Sequence, residues 1–176
     1  MEEWRDIHGY EGIYQVSNLG RVRSLDRVTS LGRIVSGKIK AACDNGNGYL
    51  VVNLKYNGKQ KMRTVHKLVA EAFINRNNFK FMPDENKNDI TLTNLQVNHK
   101  DENKTNNIVS NLEWCTHKYN NNYGTMRQRC AEKHINHENT SKKIKCVETG
   151  VIYPSIAEAE RQLHIHGSNI VACLHR

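Results

Sequence analysis

A chain of 176 residues with 38% hydrophobic residues and a mean hydropathy of -0.73 suits one ordinary domain or a row of small modules, each burying little surface, rather than one large core. Five cysteines, an odd number with no CxxC pair, argue against a disulfide framework, and no apolar run is long enough to span a bilayer. The net charge of +8 is clustered: residues 20–63 hold ten Lys/Arg against two acids and residues 111–145 seven against three, which points to a polyanionic partner such as nucleic acid.

The opening MEEWRDIHGY lacks the apolar stretch of a secretory signal, and the expected location is the cytoplasm. IYQVSN and GRVRSL alternate apolar and polar residues around Asn18-Leu19-Gly20, which predicts a β-hairpin. DNGNG at 44–48 predicts a loop. YLVVNLKY and KQKMRTV then flank Asn57-Gly58, the favoured two-residue hairpin turn. The strand period of two puts Lys59, Lys61 and Arg63 on one face, and Arg21 and Arg23 on one face of their own strand. Such basic faces can follow phosphates or enter a DNA major groove. Trp4 and Trp114 read as core anchors.

HKLVAEAFI changes period: Leu68, Val69, Ala72 and Phe73 have helical spacing, and His66 reads as packed or solvated rather than catalytic. Residues 75–94, rich in Asn and Asp with Pro83, read as a long surface loop with at most a short strand. LQVNH and LEWCT read as strands, and Thr116 as the cap of a helix over HKYNNNYGT. RQRCAEKHINHENTSKKIK predicts a basic, partly helical, extended linker lying on a partner, with Arg127 and Arg129 as its contacts. Cys130, His134, His137 and Cys146 lack the spacing of a standard closed zinc set. KCVETGVIYPS predicts a hairpin around Thr149-Gly150, and Ser155 with Glu158 forms a capping box. Ile156, Ala159 and Leu163 make an apolar stripe. Gly167-Ser168 is expected to break the chain and cap a second helix, with Ile170 and Leu174 facing the first. This is a helix-turn-helix pattern, with Ser168 and Asn169 placed for groove contacts.

VNHKDENKTNN, at 97–107, sets one histidine among amides and carboxylates. A solvated loop accounts for such a composition, but the spacing allows more. His99 ends one strand, Asn111 precedes the next, and Asn120 lies four residues past Thr116. Strand, loop, strand and helix can fold back so that these three side chains converge and an imidazole is exposed at the edge of a metal site. Phosphodiester hydrolysis needs a base for water, and histidine titrates near neutrality. It also needs a cation on the phosphate and the leaving oxygen, and Asp and Asn oxygens suit Mg²⁺. An amide near the imidazole can fix its tautomer, a role that falls here to Asn111.

VNHKDENKTNNIVSNLEWCTHKYNNN resembles the HNH, or ββα-metal, endonucleases of the phage intron-encoded homing type. Their pattern is a hydrophobic residue, Asp or Asn, His, DGNKxNN, NLxW and a downstream Asn. WRDIHGYEGIYQVSNLGRVRSL is similar to the β module that often precedes HNH, and TGVIYPSIAEAERQLHI…SNI resembles an intron-encoded-nuclease helix-turn-helix repeat. The resemblance implies an α+β, elongated modular protein. Its expected divisions are an N-terminal antiparallel β DNA-binding module (1–63), an HNH core (64–124), an extended basic linker (125–145) and a helix-turn-helix (146–176). It implies a metal-dependent, site-specific homing endonuclease that nicks double-stranded DNA as a monomer, leaving 5′-phosphate and 3′-hydroxyl ends, in the host cytoplasm if phage-encoded. His99 would be the general base, Asn111 its orienting residue, and Asn98 and Asn120 the ligands of Mg²⁺, with Mn²⁺ as a substitute. Asn98 stands where better-known members carry Asp, which weakens the expected metal site. Glu102 stands where Gly is usual, so a different loop backbone is expected. Asn98 also keeps a second expectation open, a DNA-binding protein with a decayed HNH site. RNA binding, from charge alone, is a third.

Overall fold

In the computed structural model, which describes residues 1–28, 32–134 and 141–174, the alternating segments of the first third form small antiparallel sheets. β1 (Trp4–Asp6), β2 (Tyr14–Ser17) and β3 (Val22–Ser24) pair in the order β1-β2-β3. The register Tyr14↔Ser24 and Val16↔Val22 puts Tyr14, Val16 and Val22 on one buried face. In the turn, Ser17 Oγ accepts the Leu19 and Arg21 N–H groups at 3.3 and 3.1 Å, and Gly20 takes a φ of 79°. β4 (Arg27–Val28) pairs with β5 (Ile34–Val35). β6 (Cys43–Asp44), β7 (Leu50–Tyr56) and β8 (Lys59–Thr64) form the next sheet, with Asn57 and Gly58 both at positive φ, as a type I′ turn requires.

α1 (Val65–Phe73) follows directly and buries Val65, His66, Leu68, Val69 and Ala70. Its burial is broader than a single stripe because β1, β2, β7, β8 and the later hairpin pack around it. Fully burying a side chain such as Leu68 is worth roughly 1.5–3 kcal/mol. Arg5 Nη1 and Trp114 Nε1 donate to the carbonyls of Ala72 and Ile74 at 2.9 and 3.0 Å, satisfying acceptors that the helix end leaves open.

β9 (Gln96–His99) pairs with β10 (Leu112–Cys115), and α2 (His117–Asn122) follows, capped by Thr116 Oγ1 accepting the Tyr119 N–H at 3.1 Å. The segment 75–94 holds three 3-10 turns and a parallel bridge between Lys80 and Cys115, so its strand content is a single bridge.

The chain divides into two compact units, Met1–Tyr123 and Gly124–Arg176. In the first, Ile7, Val16, Leu54, Leu68, Val97 and Trp114 belong to one cluster. The expectation of small modules without a sizeable core is corrected for these residues, and the boundary placed at 63/64 runs through shared packing. The reason is that β1, β2, β7, β8, β9 and β10 all pack against α1. Trp114 is 2% exposed and is the anchor expected of it. Trp4 is half-buried and outside that cluster, carrying the guanidiniums of Arg21 and Arg23 at 5.7 and 4.2 Å from its ring.

In the second unit, α3 (Met126–His134) covers part of the basic segment, and β11 (Ile144–Lys145) pairs with β12 (Ile152–Tyr153). α4 (Ile156–Leu163) starts at Ser155, whose Oγ accepts the Glu158 N–H at 3.1 Å. The break to α5 (Gly167–Leu174) falls at His164, with a φ of 55°, earlier than the expected Gly167-Ser168. Gly167 instead starts α5, where a Cβ would meet the movable end of the Glu160 side chain at 2.7 Å. Ala159 is buried in this unit, whereas Leu163 is 41% exposed. Residues 135–140, including His137, and the side chains of His134 and Leu174 lie outside what is described. Among the described residues no helix is long and apolar enough to cross a membrane.

Candidate active site

The twelve residues between β9 and β10 form a loop closed by its own side chains. Asn111 Oδ1 accepts the Asp101 N–H at 3.1 Å, and Asn111 Nδ2 donates to Asp101 Oδ1 and to the Asn106 carbonyl, both at 2.8 Å. Asp101 also accepts from the Asn103 N–H at 2.9 Å and Asn106 Nδ2 at 2.6 Å. These donors hold its carboxyl below the usual range, Asn106 most strongly. Glu102 takes a φ of 59°, so the loop asks of it the left-handed geometry that glycine enters freely.

This loop delivers Asn107, which is 4% exposed, to His99. His99 Nε2 lies 3.0 Å from Asn107 Oδ1. An amide oxygen only accepts, so Nε2 carries the hydrogen and Nδ1 keeps its lone pair. Asn111, expected to orient the imidazole, makes its hydrogen bonds within the loop instead. The residue touching the ring is Asn107, and Asn111 holds the loop that carries it. Asn107 ends the stretch VNHKDENKTNN, but spacing alone could not rank it above Asn111.

His99 is 5% exposed, which corrects the expectation of an exposed imidazole. Its ring meets His66 edge-on with centroids 5.2 Å apart, and Tyr49 lies 5.0 Å from His66 and 6.1 Å from His99. Lys104 Nζ sits 4.6 Å from the Tyr49 ring centroid and donates to the Asn47 carbonyl, tying the 44–48 loop to the site. Burial lowers the His99 pKa, against the opposing effect of the Asn107 hydrogen bond. Burial also lowers His66 to about 3, helped by His99 and Lys67. His66 is packed, as expected, and its Nδ1 is buried without a hydrogen-bond partner.

Alternation along β9 places Gln96 and Asn98 on the face opposite Val97 and His99. On that face Asn98, 6% exposed, donates from Nδ2 to Glu113 Oε1 at 2.9 Å. Asn120 Nδ2 donates to Gln96 Oε1, also at 2.9 Å. Beside β9 lies a cavity of about 270 Å³ whose lining includes Tyr49, His66, Gln96 and Asn120. The donors beside Asn98 and Asn120 are amide and carboxylate oxygens, the type that hard divalent cations take. Among the described residues no three His, Cys, Asp or Glu side chains come together as a metal set.

The expected DNA contacts lie elsewhere and are variously engaged. Arg21 forms a bidentate pair with Glu2, and Arg23 donates to Gln15 Oε1 from Nε at 3.0 Å and from Nη2 at 2.6 Å. Arg63 pairs with Glu71 at 2.7 Å, whereas Lys59 and Lys61 are exposed. In the second unit Arg127 and Arg129 are exposed on α3. Ser168 Oγ lies 2.8 Å from His166 Nδ1, and Asn169 lines a cavity of about 450 Å³.

Residues 2–55 match the NUMOD4 motif. The protein named DNA endonuclease I-HmuI, from Bacillus phage SP01, is 39% identical over 118 residues, which are 67% of this chain and 55% of that protein. The HNH endonuclease L245 of Acanthamoeba polyphaga mimivirus is 35% identical over 123 residues, 70% of this chain and 30% of that one. A solved structure titled "DNA binding and cleavage by the HNH homing endonuclease I-HmuI" superposes with a TM-score of 0.51 at 31% identity, covering 96% of this chain and 87% of the other.

The chain belongs to the HNH homing endonucleases. Its α+β architecture of helices and small antiparallel sheets is that of the HNH structure it matches. The alignments span about half or less of the curated HNH relatives' own lengths. The NUMOD4 match ends within β7, so the motif and the segment bearing His99 share a core in this HNH protein.

Proposed function

We propose that the chain is a metal-dependent, site-specific DNA endonuclease of the homing type, acting as a monomer on double-stranded DNA and nicking one strand. The observation that carries this reading is the His99–Asn107 pair at 3.0 Å, which fixes the tautomer of a buried imidazole in a member of this family. With Nε2 donating to Asn107, Nδ1 is the basic nitrogen of the His99 ring. It takes a proton from the attacking water while Nε2–H stays on Asn107. Burial keeps His99 neutral, the form a base requires. Asn98 and Asn120 would hold a divalent cation, Mg²⁺ with Mn²⁺ as a substitute, which when bound supplies electrostatic stabilisation of the phosphate and the departing 3′ oxygen. The products would be 5′-phosphate and 3′-hydroxyl ends. Arg21, Arg23, Lys59, Lys61 and Arg63 in the first unit, and Arg127, Arg129, Ser168 and Asn169 in the second, would contact DNA.

A second reading, a DNA-binding protein that no longer cleaves, is favoured by the amide at Asn98 and the burial of His99. One experiment separates the two. Supercoiled plasmid libraries are incubated with the protein in Mg²⁺, in Mn²⁺ and in EDTA, and nicked ends are mapped. Cleavage is expected with either metal and none in EDTA. His99→Ala should lose at least about a hundredfold in rate while binding DNA as before. Equal cleavage by that variant removes His99 as the base. Specific binding with no cleavage under any condition selects the second reading.

A further inference from the structure

Asn98 and Asn120 are both neutral, so a cation site built from them alone offers no negative charge. The ladder supplies one. Asn98 and Glu113 are direct partners in the β9–β10 register, and Asn98 Nδ2 donates to Glu113 Oε1 at 2.9 Å. That orientation uses the amide nitrogen and leaves the Asn98 Oδ1 out of the bond. Glu113 is half-buried, and among the described residues no Lys, Arg or His forms an ion pair with it, in a chain of net charge +8. Cys115 and Gln96 are the next pair along the same face, and Gln96 holds Asn120.

We propose that Glu113 is the anionic ligand of the divalent-cation site, reaching it from β10 beside Asn98, with the amide oxygens of Asn98 and Asn120 as neutral ligands. Hard divalent cations bind through oxygen, and affinity follows the number of ligand charges. One carboxylate among amides predicts a single, modest-affinity site. The inference rests on the metal-dependent reading above and adds the residue that makes it electrostatically workable.

The test is Mn²⁺ binding to the full chain, metal-stripped and with duplex DNA present, followed by calorimetry and by the paramagnetic resonance of free Mn²⁺. Glu113→Gln keeps an oxygen to accept from Asn98 and removes only the charge. It is expected to weaken Mn²⁺ binding by about tenfold or more. Adding Asn98→Asp to that variant returns a carboxylate from the opposite strand and should restore the affinity, which shows that the fold was intact. Unchanged binding in Glu113→Gln overturns the proposal. So does a loss that Asn98→Asp leaves unrepaired, since the defect is then structural. If the parent chain cuts DNA in EDTA and binds no Mn²⁺, the metal-dependent reading itself fails. If the parent binds and Glu113→Gln binds equally, only the role of Glu113 falls.

Discussion

At the scale of single residues, the site separates the imidazole from the groups that hold it. His99 presents a lone pair, Asn107 fixes which nitrogen presents it, and Asn111 closes the loop that carries Asn107. His66 contributes burial and no charge. Its pKa of about 3 lies below the ordinary value of 6.5, so the unfolded state binds more protons between those limits. Stability therefore rises with pH across that window, and the protein weakens as pH falls below 6.5 until the loss saturates near 3. The slope is of order 1.4 kcal/mol per pH unit for one such group. Urea midpoints measured from pH 7 to pH 4.5 should fall for the parent and fall less steeply for His66→Phe. Equal slopes in the two proteins would remove His66 as the acid-sensitive group.

At the scale of elements, the β2–β3 turn packs against the loop that carries Asn107. The Val109 N–H donates to the Asn18 carbonyl at 2.8 Å, and a Cβ on Gly20 would lie 2.9 Å from Asn107 Cβ and 3.0 Å from its carbonyl oxygen. Gly20 also sits at a φ of 79°, a region that L side chains rarely adopt. Gly20→Ala is thus expected to cost roughly 1–3 kcal/mol in a denaturation curve, through strain and overpacking. It should also slow cleavage more than it weakens DNA binding, because the backbone pushed is that of the residue bonded to His99. A variant with parental cleavage rate would show that this contact is structural only. In the sequence Gly20 is legible as a turn residue, but its pressure on Asn107 joins positions far apart in the chain and needs the tertiary fold.

At the scale of the whole molecule, the charge of +8 has to be read after internal pairing is removed. Arg21 and Arg63 spend their charge on Glu2 and Glu71, while Lys59 and Lys61 are exposed. Each phosphate contact contributes about one unit to the slope of log affinity against log salt. Lys59→Ala and Lys61→Ala are each expected to reduce that slope by about one with folding unaffected. Arg63→Ala should reduce the slope too and also lower stability by about 1 kcal/mol, as an ion pair between half-buried side chains is lost. Filter binding over a salt series, alongside thermal melts, reads both. Slopes unchanged by both lysine variants would remove that strand from the DNA contact.

The sequence by itself determined the elements whose causes are local. Strands β2, β3, β7 and β8 follow from alternation around Asn-Leu-Gly and Asn-Gly turns, and the caps at Thr116 and Ser155 follow from hydroxyls placed before helical runs. His99 and its loop were legible because residue types and spacing are local properties of one segment. What only the tertiary structure decided depends on groups brought together from separate segments. Tyr49, His66 and His99 come from three segments and meet through packing around α1, which buries an imidazole that spacing alone would leave exposed. The choice of Asn107 over Asn111 depends on how a closed loop turns its side chains. The pairing of Asn98 with Glu113 depends on β register, which brings together residues 15 apart in the chain and places a carboxylate beside an amide.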